Sequence, residues 1–258
     1  MRRLTHIRVI TAAALRESVR RKDIYVVWML AVFCMAVGAA LGRLGLHGME
    51  TLLRELMLTV VNVLATLACI LLAARQLPEE LDRRTLYPLL ARPVRRVDVL
   101  LGKFLAVWIM SALVLAVLSA IAWANLAMLG TGYGPIFWQY FTLRLLSFAV
   151  IAALAMLLSL LTTPAATVTL AAILTLGATL FAQSVVLVQP EAGPAGQTAL
   201  RLIWYVLPHL DLLDLSRKTA YNWPPIPAAV VGQLAVYAGA YAAVFLGLGS
   251  LRFRRMAL

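Results

Sequence analysis

The chain has 258 residues, of which 63% are hydrophobic and 13% charged, with a formal net charge of +12 and a mean hydropathy of +0.90. A soluble domain is about half apolar and about a quarter charged, so this composition excludes a single water-soluble core and makes lipid the solvent for much of the chain. The positive charge does not indicate nucleic acid, because it lies in short blocks between apolar stretches, as juxtamembrane charge does.

Residues 1–23 read as an amphipathic helix on a membrane surface. Leu4, Ile7, Ile10, Ala14 and Leu15 share one face at helical spacing, and Arg8, Arg16 and Arg20 fall elsewhere. Val9 interrupts the polar side, and Glu17 stands one turn before Arg21. These residues are largely polar and no cleavage site follows, so a cleaved signal peptide is not expected. Six apolar stretches then follow, near 24–42, 56–75, 99–124, 140–161, 165–188 and 227–250. Each is long enough for the about 20 helical residues that cross a bilayer. Open strands are excluded in lipid, and the stretches are too long and too uniformly apolar for a barrel. The expected fold is therefore all-α: one polytopic domain over 1–258 with six transmembrane helices.

The connections are unequal. Residues 76–98 form a charged loop between the second and third spans. Residues 130–135 are an ordinary glycine-rich turn. Thr163 is a plausible N-cap for the fifth span, with Pro164 as its first helical residue. The loop 189–226 is long, and Ala199–Leu207 and His209–Lys218 read as short helices divided by Pro208.

Lys and Arg set the orientation. Residues 1–23 hold seven, the second loop with its flanks another seven, and the C-terminus adds Arg252, Arg254 and Arg255. The opposite side holds Arg43, Arg54, Arg201, Arg217 and Lys218, with Arg144 near the outer end of the fourth span. Seventeen against five places both termini in the cytoplasm. Tyr25 and Trp28 fall near the inner interface, and Trp123, Trp138, Tyr140, Trp204, Tyr221 and Trp223 near the outer one.

All eleven acidic residues lie outside the middle of the spans. A charge at the bilayer centre costs about 2.5–3.5 kcal/mol on insertion scales, and proton-coupled carriers usually keep a carboxylate there. The driving force for any transport is therefore expected from elsewhere. Gly102-Lys103 is followed by Phe104 and lacks the preceding glycine of a phosphate-binding loop. There is no zinc-binding H-E-x-x-H and no nucleophile elbow. His6, His47 and His209 are scattered, and Cys34 and Cys69 sit in apolar stretches. We assign no catalytic residue, no metal ligand and no cofactor to this chain.

The loop 76–98 is the most informative segment. Leu86, Leu89 and Leu90 alternate with charged residues, and Pro93 ends the element. A short amphipathic helix with an arginine-rich edge results, held between two membrane helices and suited to transmit a push from a cytoplasmic partner. Composition equally supports a basic loop that binds anionic lipid head groups. The same loop resembles the signature loop of ABC-2 type transporter permeases, particularly the half-size bacterial group that includes the permease of nitrous-oxide-reductase maturation. Glu79, Glu80, Thr85, Leu86, Leu89, Leu90, Pro93, Val94, Arg96, Leu100, Leu101, Gly102 and Lys103 match its pattern; Arg84 and Arg95 replace the usual glycine and serine.

That resemblance implies a coupling helix near 79–97 that docks on a separate ABC ATPase subunit, with Glu79, Glu80, Arg83, Arg84, Thr85, Arg92, Pro93, Arg95 and Arg96 as coupling residues. ATP and Mg would be bound by that partner, and a second permease copy or a related permease would complete a dimeric pore in the bacterial inner membrane. Asn62, Asn125, Ser147 and Gln183 are polar groups in the spans that line a path or bond between helices. Arg144 either meets an anionic substrate or, preferably, snorkels to the outer head groups. Ala235, Gly239, Ala243 and Gly247 form a small-residue ladder for close helix packing. Asp211 and Asp214 are expected on a local surface helix, Asp214 one turn before Lys218. A non-transporting membrane scaffold is the competing reading.

Overall fold

The computed structural model describes residues 2–20, 23–43, 50–78, 95–188 and 208–255, with side chains except at 2–6, 19, 20, 23–28, 39, 41–43 and 178–188. Among these residues every regular element is helical: α1 (Arg2–Arg20), α2 (Asp23–Arg43), α3 (Glu50–Gln76), α4 (Arg96–Met128), α5 (Ile136–Ser159) and α6 (Pro164–Val188), then a 3-10 turn (Leu210–Leu213), α7 (Ser216–Ala220) and α8 (Ala228–Arg255). The helices α3, α4, α5 and α8 are each long and apolar enough to cross a membrane. Apolar stretches at Met29–Gly38 and Pro164–Gly177 lie within α2 and α6. Pro164 opens α6, where its missing N–H is not needed.

The centre of the bundle is the α3–α5 pair. Leu53, Met57, Val61, Ala65, Ala68 and Cys69 recur every three or four residues along α3 and are all buried. On α5 nearly every residue from Val150 to Met156 is buried, which makes it the most enclosed helix. The helix α8 packs chiefly on α5, burying Ala238, Ala242, Gly249 and Phe253. Its other faces carry exposed Val236, Val244, Leu248 and Leu251. Surface of that kind is costly in water and ordinary in lipid.

Close approaches depend on small residues. A Cβ at Gly38 of α2 would overlap the Asn125 side chain of α4, and one at Gly102 would come 2.7 Å from Ile10 Cγ2 of α1. The helix α4 ends in a Schellman motif: Thr131 N donates to Leu126 O at 2.9 Å and Gly130 N to Ala127 O at 3.1 Å. Gly130 supplies the left-handed φ of +74° that this closure requires.

The two ends of the bundle differ. At one end α1 lies across the first turns of α4, with Thr11 and Ala14 buried and Val9 exposed. At the other end the turn after α4 meets residues 208–227. Gly134 N donates to Asn222 Oδ1 at 2.8 Å. Gln139 bonds both backbone groups of Ile226, at 2.8 and 2.7 Å, and His209 N donates to Tyr237 Oη at 2.9 Å. The continuous helix expected over 209–218 is instead the 3-10 turn and α7. They part at Asp214, whose carboxylate accepts Ser216 N at 2.9 Å and so competes with helix continuation.

Candidate functional site

Two helical pairs build a polar centre inside the bundle. Asn62 and Thr66 stand one turn apart on α3, and Tyr140 and Arg144 one turn apart on α5. Tyr140 Oη donates to Asn62 Oδ1 at 2.6 Å. Arg144 Nη2 donates to Thr66 Oγ1 at 2.6 Å and to Asn62 O at 3.3 Å. The guanidinium lies 5.3 Å from the Phe148 ring centroid, a favourable placement for a cation. Asp214 reaches this group from the 208–227 segment. Its carboxylate lies 4.0 Å from Arg144 Nη1 and 3.4 Å from Asn62 Nδ2. Arg144 Nε and Ser147 Oγ are buried without a hydrogen-bond partner.

Arg144 therefore does not snorkel. Thr66 and the Asn62 carbonyl hold its side chain in the bundle, at 7% exposure. Tyr140 is likewise fully buried in the bundle. Asp214 does not pair along a surface helix with Lys218; it turns inward, and Lys218 Nζ lies 5.9 Å from the Trp223 ring centroid. A cavity of about 200 Å³ lies against Asn62, Thr66, Arg144, Thr175, Asp214 and Ser216. A wider recess of about 630 Å³, edged by Glu55, Asp211, Arg217 and Trp223, shares Asp214 and Ser216 with it.

A second polar group sits at the opposite end and frames the charged loop. Lys103, only 2% exposed, donates from Nζ to the Gln76 carbonyl at 2.6 Å. The last residue of α3 is thereby tied to the first turns of α4. Gln76 Nε2 donates to Ser18 Oγ at 3.2 Å, and Thr11 Oγ1 to Gly102 O at 3.0 Å, so α1 is bound to both. Arg96 Nη1 donates to the Phe253 and Arg254 carbonyls at 3.0 and 3.1 Å, capping the C-terminal turn of α8.

Of the coupling candidates, Glu79, Glu80, Arg83, Arg84, Thr85, Arg92 and Pro93 lie outside the described residues. Arg95 is exposed just before α4, and Arg96 faces the end of α8. Asn62 and Arg144 are brought together; Gln183 lies in α6, its side chain outside the described residues. Gly239 and Gly247 are exposed, with nothing within 4 Å of an added Cβ, so this part of the ladder packs against no other described residue. Sequence reasoning missed Thr66, Tyr140, Asp214 and the anchoring role of Lys103. The available signal was the spacing: Thr66 four residues after Asn62, and Arg144 four after Tyr140, give each helix one polar edge.

No curated protein matches the chain. The family model described as ABC-2 family transporter protein matches residues 7–258.

Proposed function

The chain belongs to the ABC-2 transporter family as a multi-pass membrane permease, and from that premise we propose that it is the pore-forming half of an ATP-driven pump with six spans. In this reading α2, α3, α4, α5, α6 and α8 each cross the bacterial inner membrane, and both termini are cytoplasmic. The loop 76–98 is the coupling element, and ATP and Mg bind only on the ATPase partner. Two permease copies, or this chain and a related one, enclose the path. The observation that carries the reading is the family match over nearly the whole chain.

The bonds at the ends of the loop support a lever. A segment that transmits force needs a stem that does not splay, and the Lys103–Gln76 bond ties its two ends while Ser18 and Thr11 attach α1 to the same stem. Arg96 extends it to the last helix.

The test is purification of the full chain from its native membrane with any ABC ATPase bound to it, followed by reconstitution of the complex. Charge reversal at Arg83 and Arg84 is expected to leave assembly of the chain intact while uncoupling hydrolysis from transport. Unchanged coupled activity in that variant, or an isolated chain that binds and hydrolyses ATP, removes the reading.

A further inference from the structure

We propose that Arg144 is an oxyanion-binding residue, and that Asp214 occupies its place as an exchangeable, built-in anion. The inference rests on the permease reading and concerns the chemistry of what passes. A cation inside a membrane bundle is costly unless it has a permanent partner or a functional one. The nearest carboxylate among the described residues, Asp214, stands at 4.0 Å, beyond hydrogen-bond range. Arg144 Nε is buried with no partner. The guanidinium thus has an unused donor in a fixed fork, which suits a bidentate carboxylate or phosphate.

The two members of the pair are held differently, and this decides which one moves. Arg144 is fixed by Thr66 and the Asn62 carbonyl and lies over Phe148. Its side chain is 8% exposed, against 28% for Asp214. Asp214 sits on a short connection between the 3-10 turn and α7; its short bond, from Ser216 N at 2.9 Å, lies within that connection, and its bonds across to Asn62 are long at 3.4 Å. The replaceable group is therefore the carboxylate, and a ligand that replaces it carries the same charge. Position agrees with chemistry, since Asp214 and Ser216 border both the cavity at Arg144 and the wider recess. Withdrawal of Asp214 would join the two spaces. An anionic group arriving at Arg144 would then release Asp214 and the short connection before α7 in the same step, because both anions compete for one cation.

The test uses the full chain in phosphatidylcholine nanodiscs, without ATP or ATPase, so its outcome is independent of the co-purification experiment. Ser216→Cys is the reporter, read as its labelling rate with a water-soluble maleimide; the native Cys34 and Cys69 are fully buried. Inorganic phosphate at constant ionic strength should raise the rate about fivefold, the scale of releasing a partly exposed ion pair. Asp214→Asn should show the raised rate without phosphate. Arg144→Gln should show it too and ignore phosphate, and Arg144→Lys should respond more weakly than wild type. Discs containing phosphatidylglycerol, without phosphate, identify the source of the anion: a rise there assigns a lipid headgroup, and a rise with phosphate alone assigns a soluble oxyanion. The proposal is overturned if neither anion changes the wild-type rate, or if the phosphate response survives in Arg144→Gln. Should Arg144→Gln fail to fold, an Asp214→Asn rate equal to wild type overturns it equally.

Discussion

Gly102 and Gly239 show how one residue type acquires opposite meanings. Both lie in long apolar helices, and both replace a hydrogen by a methyl group when changed to alanine. At Gly102 that methyl would meet Ile10 Cγ2 at 2.7 Å, Ile10 Cβ at 2.9 Å and the Ile7 carbonyl at 3.4 Å. The last two cannot swing aside, so α1 must lift from α4. Gly102→Ala is expected to cost about 1–3 kcal/mol through overpacking, offset by at most about 1 kcal/mol of helix propensity. Gly239→Ala meets nothing within 4 Å and should leave the isolated chain as stable or slightly more so. Thermal unfolding of the two variants in detergent measures the contrast; equal melting temperatures would refute the tight seat of α1. Arg144 teaches the same lesson about local reading. Its expected position followed from its distance to a span end, whereas its actual one follows from Thr66, Asn62 and Asp214, which lie 70 or more residues away in the chain.

At the scale of elements, what was legible was whatever depends on neighbours in sequence. Length and apolarity locate the long helices, Pro164 marks a helix start, and the glycines at 130–135 mark a turn, in which the structure gives Gly130 the left-handed φ that closes α4. What was illegible depends on docking. The inward face of α1 and its attachment to Gly102 involve residues 91 apart, and the break at Asp214 is a contest between a side chain and the helix backbone. Lys103 was visible only as a motif letter, yet it closes the base of the charged loop. Lys103→Met removes a charged donor from the part-buried Gln76 carbonyl, a loss of about 1.5–3 kcal/mol for a hydrogen bond to a charged group. Methionine keeps the bulk, so the helices should persist by circular dichroism while the loop ends separate. Trypsin should then cut after Arg83 or Arg84 faster than in wild type. An unaltered cleavage rate would show that the bond is incidental to the stem.

The whole molecule has two unlike ends, and its function depends on which faces the cytosol. One end gathers α1, the Lys103–Gln76 stem and the Arg96 cap on α8. The other gathers the turn after α4 and the 208–227 segment, with its straps to Gly134, Gln139 and Tyr237. The first carries most of the arginine and lysine, and in the proposed orientation the preference of basic loops for the cytoplasmic side turns it to the cytosol. In that orientation an energy-supplying subunit would act at that end, and the Arg144–Asp214 pair would lie toward the opposite face. On the proposed reading, the end where force would enter is separated from the Arg144–Asp214 pair, with α3, α4 and α5 running between them. In intact cells a membrane-impermeant maleimide should label Thr131→Cys directly, and Arg95→Cys only after the membrane is opened. Both positions are accessible enough to react, since Arg95 is exposed and Thr131 half-buried in a turn. Labelling in the reverse order would put the charged loop on the far side, where no cytosolic ATPase can reach it, and the coupling role would have to be abandoned whatever the family match.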